Sequence, residues 1–570
     1  MRVSVIAASI TAFFAALTAG LLLSLLTSCG DAEPSAVTTE PAKPDPQALE
    51  LLLTYSSEKK DWIESSVSAF NAAKLTLTDG RRITVTALPM GSGECVDEVN
   101  QGTRKPHLIS PASAAFITMG NAAAQVANGK PLVGSTENLV LSPVVIAMWK
   151  PMAERLGWPK KAIGWADILP LATNPQGWAS VGEPLWGRFK FGHTHPEFSN
   201  SGLMALLAEI HAATGTTGSL TSAEVRAPAV QQFVTGIERS VAHYGSSTGF
   251  FADRMFSGGM GAFSATVLYE SNIIDAATKN LSTPIVAIYP KEGTFWSDHP
   301  IGIVQRDWVT PAHQEAAKRF IRFLMDKPQQ EAALKLGFRP GSPEIPVGAP
   351  IDAAHGCDAA QPTTTLNVPS AAVLTEALAM WRANKKASHV TLVLDLSGSM
   401  NDEGKVDGAK EAAKTFIRGL DDRDICSLLI FNATSTWAFR QQPLASKRAE
   451  LLTTIDKLFA NGGTALYDAV IEAQKDFATA PAGEKVDERI SALVVLSDGE
   501  DTNSSASLDA VLASAAGGVE SGGVRIFTIA YGKGAKKDVL KRIAETSRGK
   551  LFSGDAATIR TVFRDIATFF

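Results

Sequence analysis

Two apolar runs near the end of the chain each stop at an acid in a Ser/Gly-rich turn. His389-Val-Thr-Leu-Val-Leu394 leads into Asp395-Leu-Ser397-Gly-Ser399, and Leu493-Val-Val-Leu-Ser leads into Asp498-Gly499. Strands that are apolar throughout, alternating with amphipathic helices, pack as a parallel sheet covered on both faces. In a doubly wound sheet the loops at the carboxyl ends of neighbouring strands meet at one crevice. A third loop, Gly462-Gly463-Thr464, opens a helix and reaches the same end. Three hydroxyls and two carboxylates then converge, an all-oxygen set suited to a hard cation. With only two charged ligands, a divalent ion stays electrophilic enough to take a carboxylate from a partner. The plainer reading is a turn, a helix cap and a strand-ending acid. Three such caps seldom fall in this order on alternating strands and helices.

These residues resemble the metal-ion-dependent adhesion site of von Willebrand factor A domains, over roughly the last third of the chain and at all five motif positions. The resemblance implies that Ser397, Ser399 and Thr464 ligate through their hydroxyls. Asp395 and Asp498 would bind directly or through water. The implied cofactor is a divalent cation, Mg²⁺ before Mn²⁺ or Ca²⁺. Asp468, one turn after Thr464, is either an outer-shell acid or a carboxylate favoured at a helix start, and Glu500 and Asp501 read as solvated loop acids. Helical periodicity covers 406–420, 449–459, 465–478, 507–516, 539–546 and 557–569, with strands at 426–431, 436–439 (an edge), 524–530 and 551–552.

At 570 residues the chain is too long for one core. A net charge of −5 without a long basic run argues against nucleic acid as a partner. Arg2 precedes an Ala/Leu-rich run to Leu26, then Leu26-Thr-Ser-Cys29-Gly30, which resembles the lipobox of bacterial lipoproteins with Cys29 as the acylated residue. The rival reading is an uncleaved membrane helix. Either places the folded body outside the cytoplasmic membrane, on a Pro/Glu/Thr-rich tether.

From about Leu51 to Pro346, short apolar strands alternate with amphipathic helices: a strand at 51–55, a helix at 59–73, a strand at 82–88 and a closing helix at 311–325. With Ser56-Ser57 after the first strand and Gly337-Phe338-Arg339-Pro340 at the end, this order resembles the type II extracellular solute-binding proteins of bacterial import systems. Ser142 to Trp149 then looks like a hinge crossing, and His193-Thr-His195-Pro-Glu-Phe-Ser199-Asn-Ser201 like a cleft loop. Ser56, Ser57, Ser110, Ser199 and Ser201 are candidate solute ligands, because hydroxyls and helix-start N–H groups suit an anion. Ordinary capping is the competing reading for any one serine. His193 and His195 invite a metal, with Glu197 beside them, although adjacent loop histidines are more often polar loop residues. Neither a nucleophile turn nor a phosphate-cradling glycine loop is present, so the chain reads as a binding protein and not an enzyme.

Cys95 and Cys357 flank the bilobed region, and an oxidising exterior permits a disulfide between them. Spacing alone does not show that they meet. Cys426 reads as a buried apolar residue.

The expected organisation is a signal peptide at 1–29, a flexible tether at 30–48, an α/β bilobed periplasmic-binding-protein-like module at 49–360, a linker and connecting helix at 361–387, and a doubly wound, Rossmann-like von Willebrand factor A domain at 388–570. The expected function is metal-dependent recognition of a protein partner's carboxylate by a membrane-anchored protein that also carries a module for a small or anionic solute. The alternative is an uptake receptor with an added docking domain.

Overall fold

In the first part of the chain the apolar runs Ala48–Ser56, Arg82–Met90 and Leu108–Ser110 line up in parallel. Pro300–Val304 and Val133–Asn138 complete this sheet antiparallel. The computed structural model describes residues 48–478, 489–520 and 524–570. The expected signal peptide, Cys29 and the expected tether as far as residue 47 lie outside the described residues. Helices Lys60–Ala72 and Pro311–Met325 cover the sheet, burying Trp62, Ile63, Phe70 and Phe320 against Leu51, Leu53 and Ile83. This is the first lobe.

Strand Val140–Trp149 then carries the chain across. Its start pairs with Arg339–Pro340, and Val144–Met148 pair antiparallel with Ala265–Tyr269 in a second sheet. The expected hinge segment is therefore a continuous strand that ends in the second lobe, and helix Lys150–Arg155 follows directly. At the centre of that lobe, helix Asn200–Thr214 is buried from Asn200 through His211. Helix Ala371–Asn384 packs against the second lobe and buries Leu374, Ala377 and Trp381.

The last sheet has six strands in the order Ser435–Pro443, Ile425–Phe431, Ser388–Asp395, Ile490–Ser497, Arg525–Tyr531, Lys550–Gly554. All its pairings are parallel except the first. Only residues 432–434 separate the two antiparallel strands, far too few for the crossover that a parallel pair needs. Alternation along the central strand divides the core. Val390, Leu392 and Leu394 meet Ala409, Ala413, Phe416 and Phe563, whereas Val393 meets Val470 and Ala473 on the other face. One helix differs from the sequence expectation: it spans Leu444–Asp456 and not 449–459. Pro443 just before it favours a helix start there, which the apolar spacing alone does not reveal.

Both modules belong to one compact unit, Gln47–Phe570. They are joined by polar contacts: Lys385 Nζ donates to the Phe570 carbonyl at 2.9 Å, Arg525 Nη1 to the Ala242 carbonyl at 3.0 Å, and Arg548 Nη1 to the Gly261 carbonyl at 3.2 Å. Among the described residues no helix is long and apolar enough to cross a membrane.

Candidate metal site and candidate solute cleft

Strands Ser388–Asp395 and Ile490–Ser497 pair in parallel, with Leu394 beside Leu496. Asp395 and Asp498 therefore emerge at the same end of the sheet. Asp395 is fully buried; its Oδ1 accepts the Ser397 N–H at 2.8 Å and its Oδ2 accepts the Ser497 hydroxyl at 2.7 Å. Burial pushes this carboxyl up and the charge on Asp498 adds to the effect, against the hydrogen bonds from Ser397 and Ser497. The Ser397 and Ser399 hydroxyls lie 3.1 Å apart, and Ser399 Oγ donates to Asp498 Oδ1 at 2.8 Å.

The third loop is tied in by its backbone. Gly462 has φ +77°, a left-handed conformation that suits glycine, and its carbonyl accepts the Gly398 N–H at 2.9 Å. The Thr464 N–H donates to Thr502 Oγ1 at 3.0 Å and to Asn503 Oδ1 at 3.1 Å. A Cβ on Gly499 would lie 3.8 Å from Thr464 Oγ1 and 3.9 Å from Ser399 Oγ, so both hydroxyls face one small space beside it. The structure thus brings together the five residues expected from sequence. Their donor atoms are hydroxyl and carboxylate oxygens only, which fits a hard divalent ion.

Sequence reasoning missed Lys405. Its Nζ lies 2.7 Å from Asp498 Oδ2 and donates to the Ser399 carbonyl at 3.3 Å. A lysine one helix start beyond the Ser/Gly turn carries no signal that it folds back onto the site. Asp468 turns away from the cluster: its oxygens accept the Ser505 and Ala506 N–H groups at 2.8 and 2.9 Å. Glu500 pairs with Lys536 at 3.0 Å, and Asp501 accepts the Ser504 hydroxyl at 2.6 Å.

In the bilobed module the five candidate serines form two neighbouring groups. Ser57 Oγ donates to Ser247 Oγ of the second lobe at 2.9 Å and accepts the Gly249 N–H at 3.3 Å. The Thr248 hydroxyl lies 3.3 Å from Ser199 Oγ and donates to Ser201 Oγ at 2.9 Å. Ser56 and Ser110 sit instead around Lys59, whose Nζ reaches Ser56 Oγ at 2.5 Å, the Ser110 carbonyl at 3.1 Å and His299 Nδ1 at 3.2 Å. The lobes meet here, since the Gly93 N–H donates to the Phe198 carbonyl at 2.8 Å. Burial alone would raise the Glu58 carboxyl, but Lys59 and His299 beside it hold it at about 2. Glu58, Lys59 and His299 escaped the sequence reading because a charged pair after two serines looks like a solvated helix start.

One expectation is corrected, and one open reading, a metal shared by His193 and His195, is not seen. Cys95 and Cys357 are not joined: both thiols are free and buried, Cys95 in helix Ser92–Asn100 of the first lobe and Cys357 against the Glu270 carbonyl of the second. The spacing carried no information about where the two helical neighbourhoods would lie. His193 and His195 do not converge on one ion either. The His195 ring packs at 4.7 Å from both Phe198 and Trp381, and Glu197 pairs with Arg382.

Comparison with known proteins agrees with this architecture. The von Willebrand factor type A domain family matches residues 389–564, and the bacterial extracellular solute-binding protein family matches residues 51–339. No curated protein matches the chain. Among solved structures, a von Willebrand factor type A protein from Catenulispora acidiphila is 24% identical with a TM-score of 0.29, covering 32% of this chain. This chain spans 42% of that protein's length. The sulfate-binding protein SubI from Mycobacterium tuberculosis H37Rv is 21% identical with a TM-score of 0.36, covering 52% of this chain and 88% of its own. AfuA from Actinobacillus pleuropneumoniae, a periplasmic binding protein with fructose-6-phosphate bound, is 14% identical with a TM-score of 0.42, covering 60% and 99%. The solute-binding match takes in half of the chain and points to an extracytoplasmic location. The chain belongs to the bacterial extracellular solute-binding protein family and carries a von Willebrand factor type A domain at its C-terminal end.

Proposed function

We propose that this is a binding protein and not an enzyme, lipid-anchored through Cys29 on the extracytoplasmic side of the membrane, whose C-terminal domain grips a carboxylate of a protein partner. The observation that carries the proposal is the linked set of oxygens at one end of the last sheet: Ser397 to Ser399 at 3.1 Å and Ser399 to Asp498 at 2.8 Å, with Asp395 beneath them. Ser397, Ser399 and Thr464 would hold a divalent cation through their hydroxyls, with Asp395 and Asp498 balancing its charge. When bound, the ion supplies an electrophilic position for the partner's Asp or Glu. A compact octahedral ion suits so few ligands, which favours Mg²⁺ or Mn²⁺ over Ca²⁺. Asp395, held by Ser397 and Ser497, is oriented before any ion arrives. In the bilobed module, the hydroxyls of Ser57, Ser199 and Ser201, together with the helix starts at Asn200 and Thr248, suit a small anionic solute.

Calorimetric titration of the full-length chain with Mg²⁺ tests the metal site. Asp395→Ala removes a carboxylate that offsets the ion's charge and should abolish binding, whereas Thr464→Ala removes a neutral ligand and should only weaken it. Equal Mg²⁺ binding by wild type and Asp395→Ala would end this reading. For the anchor, Cys29→Ala should block lipid attachment; a variant that still fractionates with membrane and keeps its N-terminal segment would favour an uncleaved helix.

A further inference from the structure

His193 follows the short strand Phe191–Gly192, Glu209 lies in the central helix Asn200–Thr214, and Glu238 ends helix Pro228–Glu238. All three side chains are fully buried, and one ligand atom from each lies within 4.8 Å of the others. His193 Nδ1 donates to the Thr194 carbonyl at 2.7 Å, which leaves Nε2 pointing at Glu238 Oε1 at 3.1 Å. Glu238 is held from outside the cluster: Tyr244 Oη donates to Oε2 at 2.6 Å and Trp381 Nε1 to Oε1 at 3.0 Å. Neither oxygen of Glu209 has a hydrogen-bond partner.

A buried carboxyl with both oxygens unmatched is costly. A proton on Nε2 serves Glu238, but as the side chains stand neither oxygen of Glu209 reaches a partner. The imidazole Nε2 and one oxygen of each carboxylate can all offer a lone pair to a single cation. A ring N–H fixed on a backbone carbonyl and a carboxylate held by outside donors are the supports that metal ligands commonly have. With metal–nitrogen and metal–oxygen bonds of about 2.0–2.2 Å, ligand atoms in a tetrahedron lie about 3.3–3.6 Å apart. The Nε2 to Oε1 separation of 3.1 Å is already near that edge, and an oxygen of Glu209 lies within 4.8 Å of both atoms.

We propose that His193, Glu209 and Glu238 form a buried structural site for a divalent transition ion, with Zn²⁺ the best fit. Two carboxylates and one neutral imidazole balance a dication in charge, and the imidazole selects a transition ion over Mg²⁺ or Ca²⁺. Through Trp381 and Tyr244 the site braces the second lobe against the connecting helix Ala371–Asn384. It is independent of the oxygen-only site in the C-terminal domain. With all three ligands buried, the ion is captured on folding and exchanges slowly.

The full-length chain, unfolded in chelator and refolded with Zn²⁺, should keep one zinc per molecule after dialysis into Mg²⁺ buffer. X-ray absorption of that zinc should show one imidazole with oxygen ligands, a signature that the C-terminal site cannot produce. Glu209→Gln, close in shape but neutral, should weaken retention by more than the 10–100-fold typical of losing an outer-shell partner. It should also remove the rise in melting temperature that Zn²⁺ gives the wild type. Absence of retained zinc, zinc without imidazole, or undiminished retention in Glu209→Gln would each overturn the site. The wild-type absorption measurement decides the matter even if the variant does not fold.

Discussion

Arg564, on the last helix of the C-terminal domain, donates through Nη2 to Glu98 Oε1 of the first lobe at 3.0 Å, across 466 positions of sequence. Arg254, Arg525 and Arg548 make the corresponding contacts between that domain and the second lobe. The C-terminal domain therefore touches both halves of the bilobed module. Glu98 also pairs with Arg104, so removing Arg564 does not leave its carboxylate uncompensated. Arg564→Ala should cost about 1 kcal/mol or less in chemical denaturation, as expected for a partly exposed pair. Combined with Arg104→Ala the loss should exceed the sum of the two, because Glu98 is then buried without a partner. Additive losses would show that Glu98 does not couple the two arginines.

The neighbouring Asp565 predicts a pH dependence. Burial, then the charge on Glu94, lift its carboxyl to about 7, against the opposing charges of Arg564 and Lys550. A carboxyl raised in the folded state binds its proton more tightly there than in the unfolded chain. Its contribution to stability is therefore fully present below about pH 4 and is lost as the pH rises through about 7. Asp565→Asn, which cannot ionise, should be more stable than wild type at pH 8 and similar at pH 4. Melting temperatures across that range provide the check, and parallel curves for the two proteins would count against a raised, partly buried carboxyl.

Lys405 places a positive charge 2.7 Å from Asp498 Oδ2, beside the proposed cation site. A cation held by Asp498 would have this ammonium as a near neighbour, and like charges that close repel even when partly screened. Lys405→Met should therefore tighten Mg²⁺ binding by at least about tenfold in a calorimetric titration. Weaker binding in the variant would mean instead that Lys405 mainly holds the Ser399 turn in shape.

The three described cysteines, Cys95, Cys357 and Cys426, are all free and buried. Burial raises each thiol, to about 12 for Cys426, so all three should be unreactive in the folded protein. Alkylation without reductant should modify none of the three in native buffer and all three in denaturant. A Cys95–Cys357 disulfide would leave only Cys426 to react in denaturant.

The sequence by itself determined the strands of the last sheet, the order of its helices, and the five residues of the proposed cation site. These features are local: apolar periodicity sets each element, and an acid or hydroxyl at a strand's carboxyl end must lie at the mouth of a doubly wound sheet. The crossing at Ser142 to Trp149 was legible only through the resemblance to solute-binding proteins. Tertiary structure decided which distant side chains share one point. Glu209 sits in a helix buried on all sides, so its sequence context reads as core with a stray acid. Only packing sets it beside Glu238 and His193, while His195, two positions from His193, is turned toward Trp381. The same holds for Arg564 on Glu98, Lys405 on Asp498 and the separation of Cys95 from Cys357. Periodicity says which face of an element is buried, but not which residue of another element it will meet, because that depends on how whole helices and lobes dock.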